Sequence, residues 1–176
     1  MLLDRLFRPR PARAIGQALY QRVVDQSRTP GLYADIGAPD TVEGRFEIYT
    51  LHAVLLIERL RGHGEQAAEV SQALFDAYVK SLDHALREMG VGDLSVGKKM
   101  RKLGEALFGR ARSYEEAFQA LPATELLEAL LIRTIFADAD PAGAPRLAAY
   151  VTGQRAHLAA QDLDRLLAGE VDWRTL

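Results

Sequence analysis

Residues 40–60 read Asp-Thr-Val-Glu-Gly-Arg-Phe-Glu-Ile-Tyr-Thr-Leu-His-Ala-Val-Leu-Leu-Ile-Glu-Arg-Leu, and this stretch decides the fold. Val42, Phe46, Tyr49, Ala53, Leu56 and Leu60 recur at spacings of four and three, the period of one helix face. Ile48, His52 and Leu55 widen that stripe until the helix is apolar around most of its girth. A helix of that kind is central and buried. Asp40 reads as its N-cap, with Glu43 three residues on completing a capping box. Gly62-His63-Gly64 stops it.

The same period continues on both sides. Residues 12–26 form a first helix with Ile15, Leu19 and Val23 spaced by four. Residues 27–38 carry Pro30, Gly31 and Gly37 and read as a loop. A third helix runs over about 65–89, its buried side marked by Val70, Leu74, Ala77, Tyr78, Leu82, Ala85 and Met89. Gly90 and Gly92 close it, because glycine tolerates the left-handed conformation. Ser95 caps a fourth helix with Val96, Met100, Leu103 and Leu107 inward, and Gly109 marks a break. Ser113 with Glu116 is a second capping box, opening a short helix that Pro122 ends. Residues 124–137 are strongly apolar and helical, 138–145 are a loop, and 146–167 are one or two helices. Trp173 is expected to pack the tail back. Strand-like alternation between turn pairs does not occur in the sequence. The expected fold is all-α: a single-domain bundle of about seven helices, spanning 11–176, around a buried central helix at about 40–62.

Residues 1–10 are an N-terminal arm with two open readings. Met1, Leu2, Leu3, Leu6 and Phe7 belong either to a frayed, mobile terminus that docks on the body or to an interfacial element with Arg5, Arg8, Arg10 and Arg13 close by. No stretch of the sequence approaches the roughly 20 apolar residues of a membrane span.

The 176 residues are 48% apolar and 26% charged, the composition of one globular domain. Zero cysteines exclude disulfides, thiolate zinc sites, cysteine nucleophiles and cysteine-ligated clusters. The net charge of −2 hides segregation. Over residues 95–112, Lys98, Lys99, Arg101, Lys102, Arg110 and Arg112 face a single acid, Glu105. Over 114–140, six acids face only Arg133. Lys98, Arg101 and Lys102 lie away from the inward stripe and form a basic face. Three readings compete: a solvated face with no partner, a patch for an acidic or RNA-rich partner, and a DNA-recognition helix. The last is disfavoured, because lysines suit phosphate contact and polar base-reading side chains are missing.

No catalytic constellation is evident. The four histidines form no H-E-x-x-H pair, and neither a P-loop nor a nucleophile elbow is present. His84 and Glu88, four apart, read as a helical ion pair. His52 is the one unusual histidine: either a neutral core imidazole or a cofactor-binding or switch residue. Binding is therefore expected rather than catalysis, with no metal and no cofactor.

Two blocks resemble a known family. The first is Pro39-Asp40-Thr41 leading into Arg45-Phe46-Glu47-Ile48-Tyr49-Thr50-Leu51-His52 and on to Arg59-Leu60-Arg61. The second is Leu86-Arg87-Glu88-Met89-Gly90-Val91-Gly92-Asp93-Leu94-Ser95-Val96-Gly97-Lys98-Lys99-Met100, followed by Gly109-Arg110 and Tyr114. Over roughly residues 29–121 the chain resembles the ubiquinol–cytochrome c chaperones, assembly factors of the respiratory cytochrome bc complex. The resemblance implies an all-helical, non-enzymatic chaperone for newly made cytochrome b or another hydrophobic membrane-protein client. It also implies a possible small partner protein and docking on a ribosome or an anionic membrane surface. The Ala/Arg-rich composition, with no transit extension, suits a bacterial homologue, cytoplasmic and peripheral at the inner face of the cytoplasmic membrane. Client or partner contacts are expected from Phe46, Tyr49, His52, Leu56, Arg59 and Asp93. Docking charge is expected from Lys98, Lys99, Arg101, Lys102 and Arg110, and turn geometry from Gly90, Gly92 and Gly97. The client groove is placed, by elimination, between the second and third helices. Two alternatives stay open: a ribosome- or RNA-associated module using residues 95–112, and a helical cofactor binder using His52.

Overall fold

The apolar stretch at 42–60 forms the helix its pattern requires, and every other long helix is arranged around it. The computed structural model describes residues 11–88 and 90–176, with the backbone alone for Pro11, Asp93 and Leu94. The arm at 1–10 and Met89 lie outside the described residues. Eight helices occur among the described residues: α1 (Pro11–Ser27), α2 (Pro30–Ala34), α3 (Val42–Leu60), α4 (Glu65–Glu88), α5 (Asp93–Gln119), α6 (Glu125–Thr134), α7 (Ala144–Ala160) and α8 (Leu163–Leu167). A 3-10 turn, Pro141–Gly143, leads into α7.

Helix α3 is the axis of the core. Residues 50–56 are buried without interruption. Helices α1, α4, α5 and α7 pack around it. Because no face of this segment meets water, each polar side chain in it needs a protein partner. Thr50 Oγ1 donates to the Phe46 carbonyl at 2.9 Å. It accepts from the Tyr78 hydroxyl at 2.7 Å.

The tail returns as expected. Trp173 sets its ring edge-on to His52, centroids 5.2 Å apart. Gln154 on α7 fixes the C-terminal tail twice, donating to the Arg174 carbonyl at 2.6 Å and accepting from its N–H at 2.9 Å.

Three local expectations are corrected. The N-cap of α3 is Thr41, whose hydroxyl accepts from the Gly44 N–H at 3.0 Å. Asp40 instead holds the Arg45 guanidinium. Adjacent Asp and Thr are both good caps, and Thr41 has the extended backbone of a cap (φ −110°, ψ 168°). The supposed loop at 27–38 contains the short helix α2, with Pro30 at its start, where proline's fixed φ suits the first turn. Most consequentially, α5 neither waits for Ser95 nor breaks at Gly109. It runs unbroken from Asp93 to Gln119. Val96, Leu107, Tyr114 and Phe118 are all buried along it. That continuous inward stripe outweighs the helix penalty of roughly 1 kcal/mol for one glycine. Ser113 opens nothing; its hydroxyl accepts from Arg133 at 3.1 Å.

Candidate functional site

An open, largely apolar groove, with Arg61, Ser71 and Gln72 also in its lining, lies where α3, α4 and α5 meet. Helix α4 follows the end of α3 after a tight turn, with Gly62 and Gly64 both at positive φ. It buries Ala67, Val70, Leu74 and Tyr78. One step around the helix, Ala68, Ser71 and Phe75 face a groove of about 360 Å³ that Ile57, Leu60 and Phe108 also line. Leu60 is fully buried at its floor. Phe108 of α5 leans on Phe75, ring centroids 5.8 Å apart. Yet Phe108 is 69% exposed. Burying a phenylalanine is worth about 1.5–3 kcal/mol, so a phenyl ring held in water beside other apolar groups marks a contact surface more than a folding element.

The residues predicted for client contact do not converge on this groove. His52 and Leu56 are completely buried, a correction that follows from α3 being enclosed on all sides. Both His52 nitrogens are engaged. Nδ1 lies 2.8 Å from the Ile48 carbonyl. A carbonyl only accepts, so the proton sits on Nδ1. Nε2 therefore accepts from the Tyr150 hydroxyl at 2.7 Å. Tyr150 accepts in turn from Gln26 at 2.8 Å. Ser27 Oγ lies 3.2 Å from Nδ1. Burial pushes the imidazole pKa down to about 4, and the Ile48 carbonyl opposes that shift. His52 is thus the neutral core imidazole of the two readings, with no nitrogen free for a cofactor. Among the described residues no group of three or more His, Asp or Glu is placed to hold a metal ion.

Tyr49 is half-buried between Tyr20 and Tyr78, at centroid distances of 6.1 and 6.4 Å. Burial raises its phenol pKa well above the ordinary value. Phe46 packs against the core from its edge. Arg59 is a clamp. Its Nε donates to the Leu158 carbonyl and Nη2 to the Gln161 carbonyl, both at 2.8 Å. Those carbonyls close the C-terminal end of α7, where helical partners run out. Asp93 opens α5, and its side chain lies outside the description.

The basic set divides. Lys98, Lys99, Arg101 and Lys102 are exposed on α5, and none is ion-paired to a described residue. Arg110 leaves the set: it grips Glu47 through Nε to Oε2 at 2.9 Å and Nη2 to Oε1 at 2.8 Å. The Glu47 side chain is only 9% exposed. This bidentate pair neutralises a carboxylate inside α3 and pins α5 to it. Hydrogen bonding to Glu47 raises the Arg110 pKa further. Of the three glycines, Gly90 alone has the left-handed backbone a turn requires (φ 81°). Gly92 is extended at the helix cap. Gly97 lies inside α5 with open space where a Cβ would stand.

Sequence reading missed Phe75, Ile57 and Phe108. Phe108 carried a signal: it stands just off the inward stripe of α5, among outward residues that are otherwise charged or small.

An all-helical domain with an enclosed central helix, an open apolar groove and a cationic helix face defines a helical binding scaffold. The ubiquinol–cytochrome C chaperone family model matches residues 34–173. The crystal structure of the Cbp3 homolog from Brucella abortus is similar over 99% of this chain and 97% of its own, with a TM-score of 0.85 and 33% sequence identity. A search of curated proteins finds no match. The chain belongs to the ubiquinol–cytochrome c chaperone family, whose members serve cytochrome bc complex assembly. The match extends past the two blocks legible in the sequence, through α6 and α7 to the Trp173 tail.

Proposed function

We propose that this protein is a non-enzymatic assembly chaperone of ubiquinol–cytochrome c reductase that holds newly made cytochrome b, or an equivalent hydrophobic membrane-protein client, in the α3–α4–α5 groove. Beside the family membership, one observation carries the reading: Phe108 stands exposed against Phe75 at the rim of a groove floored by Leu60 and walled by Ile57. An amphipathic or apolar client helix docks in such a groove through a few anchors at helical spacing. The contact is small, and that suits a chaperone. A limited apolar patch shields the client from water and releases it when the client's own partners arrive.

No helix among the described residues is long and apolar enough to cross a membrane. In this reading the chaperone works at the cytoplasmic face of the inner membrane and meets its client there. The test is a pull-down of the tagged chain from membrane-solubilised cells of the source organism. Recovery of cytochrome b, lost in the Phe75→Asp/Phe108→Asp variant, is the expected result. Recovery of ribosomes without cytochrome b overturns the proposal in favour of a ribosome-associated module.

A further inference from the structure

We infer that two copies of this chain form a two-fold dimer, in which the basic first turns of α5 in each copy lie on the outer face of α6 in the other. Helix α6 is apolar on both sides. Inward it buries Leu127, Leu130 and Leu131. On the opposite side Leu126 is 58% and Ile132 41% exposed, with Ala129 exposed between them. A helix apolar around most of its girth is normally a buried one, and no described residue covers this outer face. Acids frame it. Glu125 stands in the first turn of α6, and Asp138 and Asp140 follow its end. All three are exposed, and none is ion-paired to a described residue. Arg133, the one cation between residues 114 and 140, is hydrogen-bonded to Ser113.

Charge complementarity selects a second copy as the cover. Lys98, Lys99, Arg101 and Lys102 place four exposed cations in the first turns of α5. The Arg133–Ser113 bond marks where α6 meets α5, and Lys102 stands about 16 Å back along the helix from there, at 1.5 Å of rise per residue. Among the described residues no cation of this set pairs with an acid of its own copy. A two-fold axis satisfies both patches at once: α5 of one copy covers α6 of the other, and the reverse contact forms with it. Lysine stems supply the apolar cover, lying along Leu126 and Ile132 while their ammonium groups reach the flanking carboxylates. Other covers fit less well. Two α6 faces set against each other would bring Glu125 and Asp138 of both copies together, like charge on like charge. An RNA backbone or another polyanion meets the same acids and leaves Leu126 and Ile132 bare. The apolar groove holds no α6 residue, so a client seated there leaves this face uncovered. The dimer therefore does not depend on the chaperone reading.

Sedimentation velocity of the purified whole chain, with no client present, tests the dimer. Wild type is expected to pass from monomer to dimer, and no further, as its concentration rises to about 0.5 mM. Raising salt from about 0.05 M to about 0.5 M is expected to weaken association about tenfold. Lys98→Glu/Lys102→Glu and, separately, Glu125→Lys/Asp138→Lys are each expected to weaken it more than about a hundredfold, because each reversal acts at both copies of the contact. Mixed in equal amounts, the two variants are expected to recover a dimer: the acidic α5 of one meets the basic α6 of the other, and their unaltered patches meet as well. Damage to the fold gives no such recovery. Leu126→Ser is expected to lose about tenfold. Glu125→Gln/Asp138→Gln weakens an α5–α6 contact and strengthens an α6–α6 one, which separates those two dimers. The inference is overturned by a monomer throughout the range, by growth beyond the dimer, by a stronger dimer in the glutamine variant, or by no recovery on mixing. It is likewise overturned if the chain stays monomeric and binds polyuridylate through Lys98 and Lys102. Cytochrome b capture keeps the two proposals apart: Leu126→Ser is expected to retain it.

Discussion

Replacing Gly16 by valine is expected to destabilise the protein by about 3 kcal/mol and lower its melting temperature by roughly 10 °C. Helices α1 and α4 form the most extensive helix pair of the bundle, and they meet at backbone distance. A Cβ at position 16 would stand 2.6 Å from the carbonyl carbon and Cβ of Ala73 and from the Leu74 amide nitrogen. Those atoms belong to a helix backbone and cannot swing aside. The helices must separate, and the contacts of Leu19, Val23, Val70 and Leu74 on either side loosen with them. The built-in control is Gly97→Ala. That position is also helical, but nothing lies within 4 Å of the added Cβ. Relief of glycine's backbone entropy is expected there to stabilise by up to about 1 kcal/mol. Urea unfolding of the two variants against wild type checks both signs. Equal stabilities for Gly16→Val and wild type would contradict the close crossing.

The second large effect is a loss of stability in mild acid that belongs to one side chain. His52 is neutral in the folded protein, its pKa held down to about 4 by burial. In the unfolded chain it protonates near pH 6.5. Between those values the unfolded state binds the extra proton, so stability is complete above about pH 6.5 and is lost as pH falls towards 4. At 1.36 kcal/mol per unit, the loss is about 3 kcal/mol. Among the described residues the ring's partners are Ser27, the Ile48 carbonyl, Tyr150 and Trp173, none of them anionic. His52→Leu removes the titration and also leaves the Tyr150 hydroxyl without its acceptor. It is expected to be about 2 kcal/mol less stable than wild type at pH 7.5. The gap should close by pH 4.5. Chemical denaturation at pH 7.5, 6 and 4.5 measures it, and parallel profiles for the two proteins would contradict the buried, neutral assignment.

How much of this was legible in the sequence depends on whether the deciding partner was local. Helix α3 was legible because its apolar girth leaves one arrangement open, full enclosure. The basic face of α5 was legible because Lys98, Arg101 and Lys102 avoid the inward stripe within a few turns of themselves. The continuity of α5 was also recoverable: the step from Leu107 to Tyr114 is two helical turns, and the stripe crosses Gly109 without a change of phase. Gly109 and the capping-box pattern at Ser113 are local signals that compete with that stripe, and the stripe prevails. Other features depend on distant residues. Arg110 reads as one more surface cation until Glu47, 63 positions away, is brought beside it. Arg59 reads as the charged end of α3, and only the fold places the last carbonyls of α7 against it. His52 needed Tyr150, 98 residues on, to be resolved as a core residue. Phe108 stands between the two cases: its place just off the inward stripe of α5 is local, but its contact with Phe75 exists only in the packed bundle.

The central claim, that a hydrophobic client lies in the α3–α4–α5 groove, is tested most directly by site-specific photo-crosslinking in living cells. A photoreactive amino acid replaces Ala68, exposed in the groove wall, and separately Ala149, exposed on α7 outside it. The account expects an adduct with cytochrome b from position 68 and none from 149. An adduct from 149 without one from 68, or none from either in cells making cytochrome b, would contradict it.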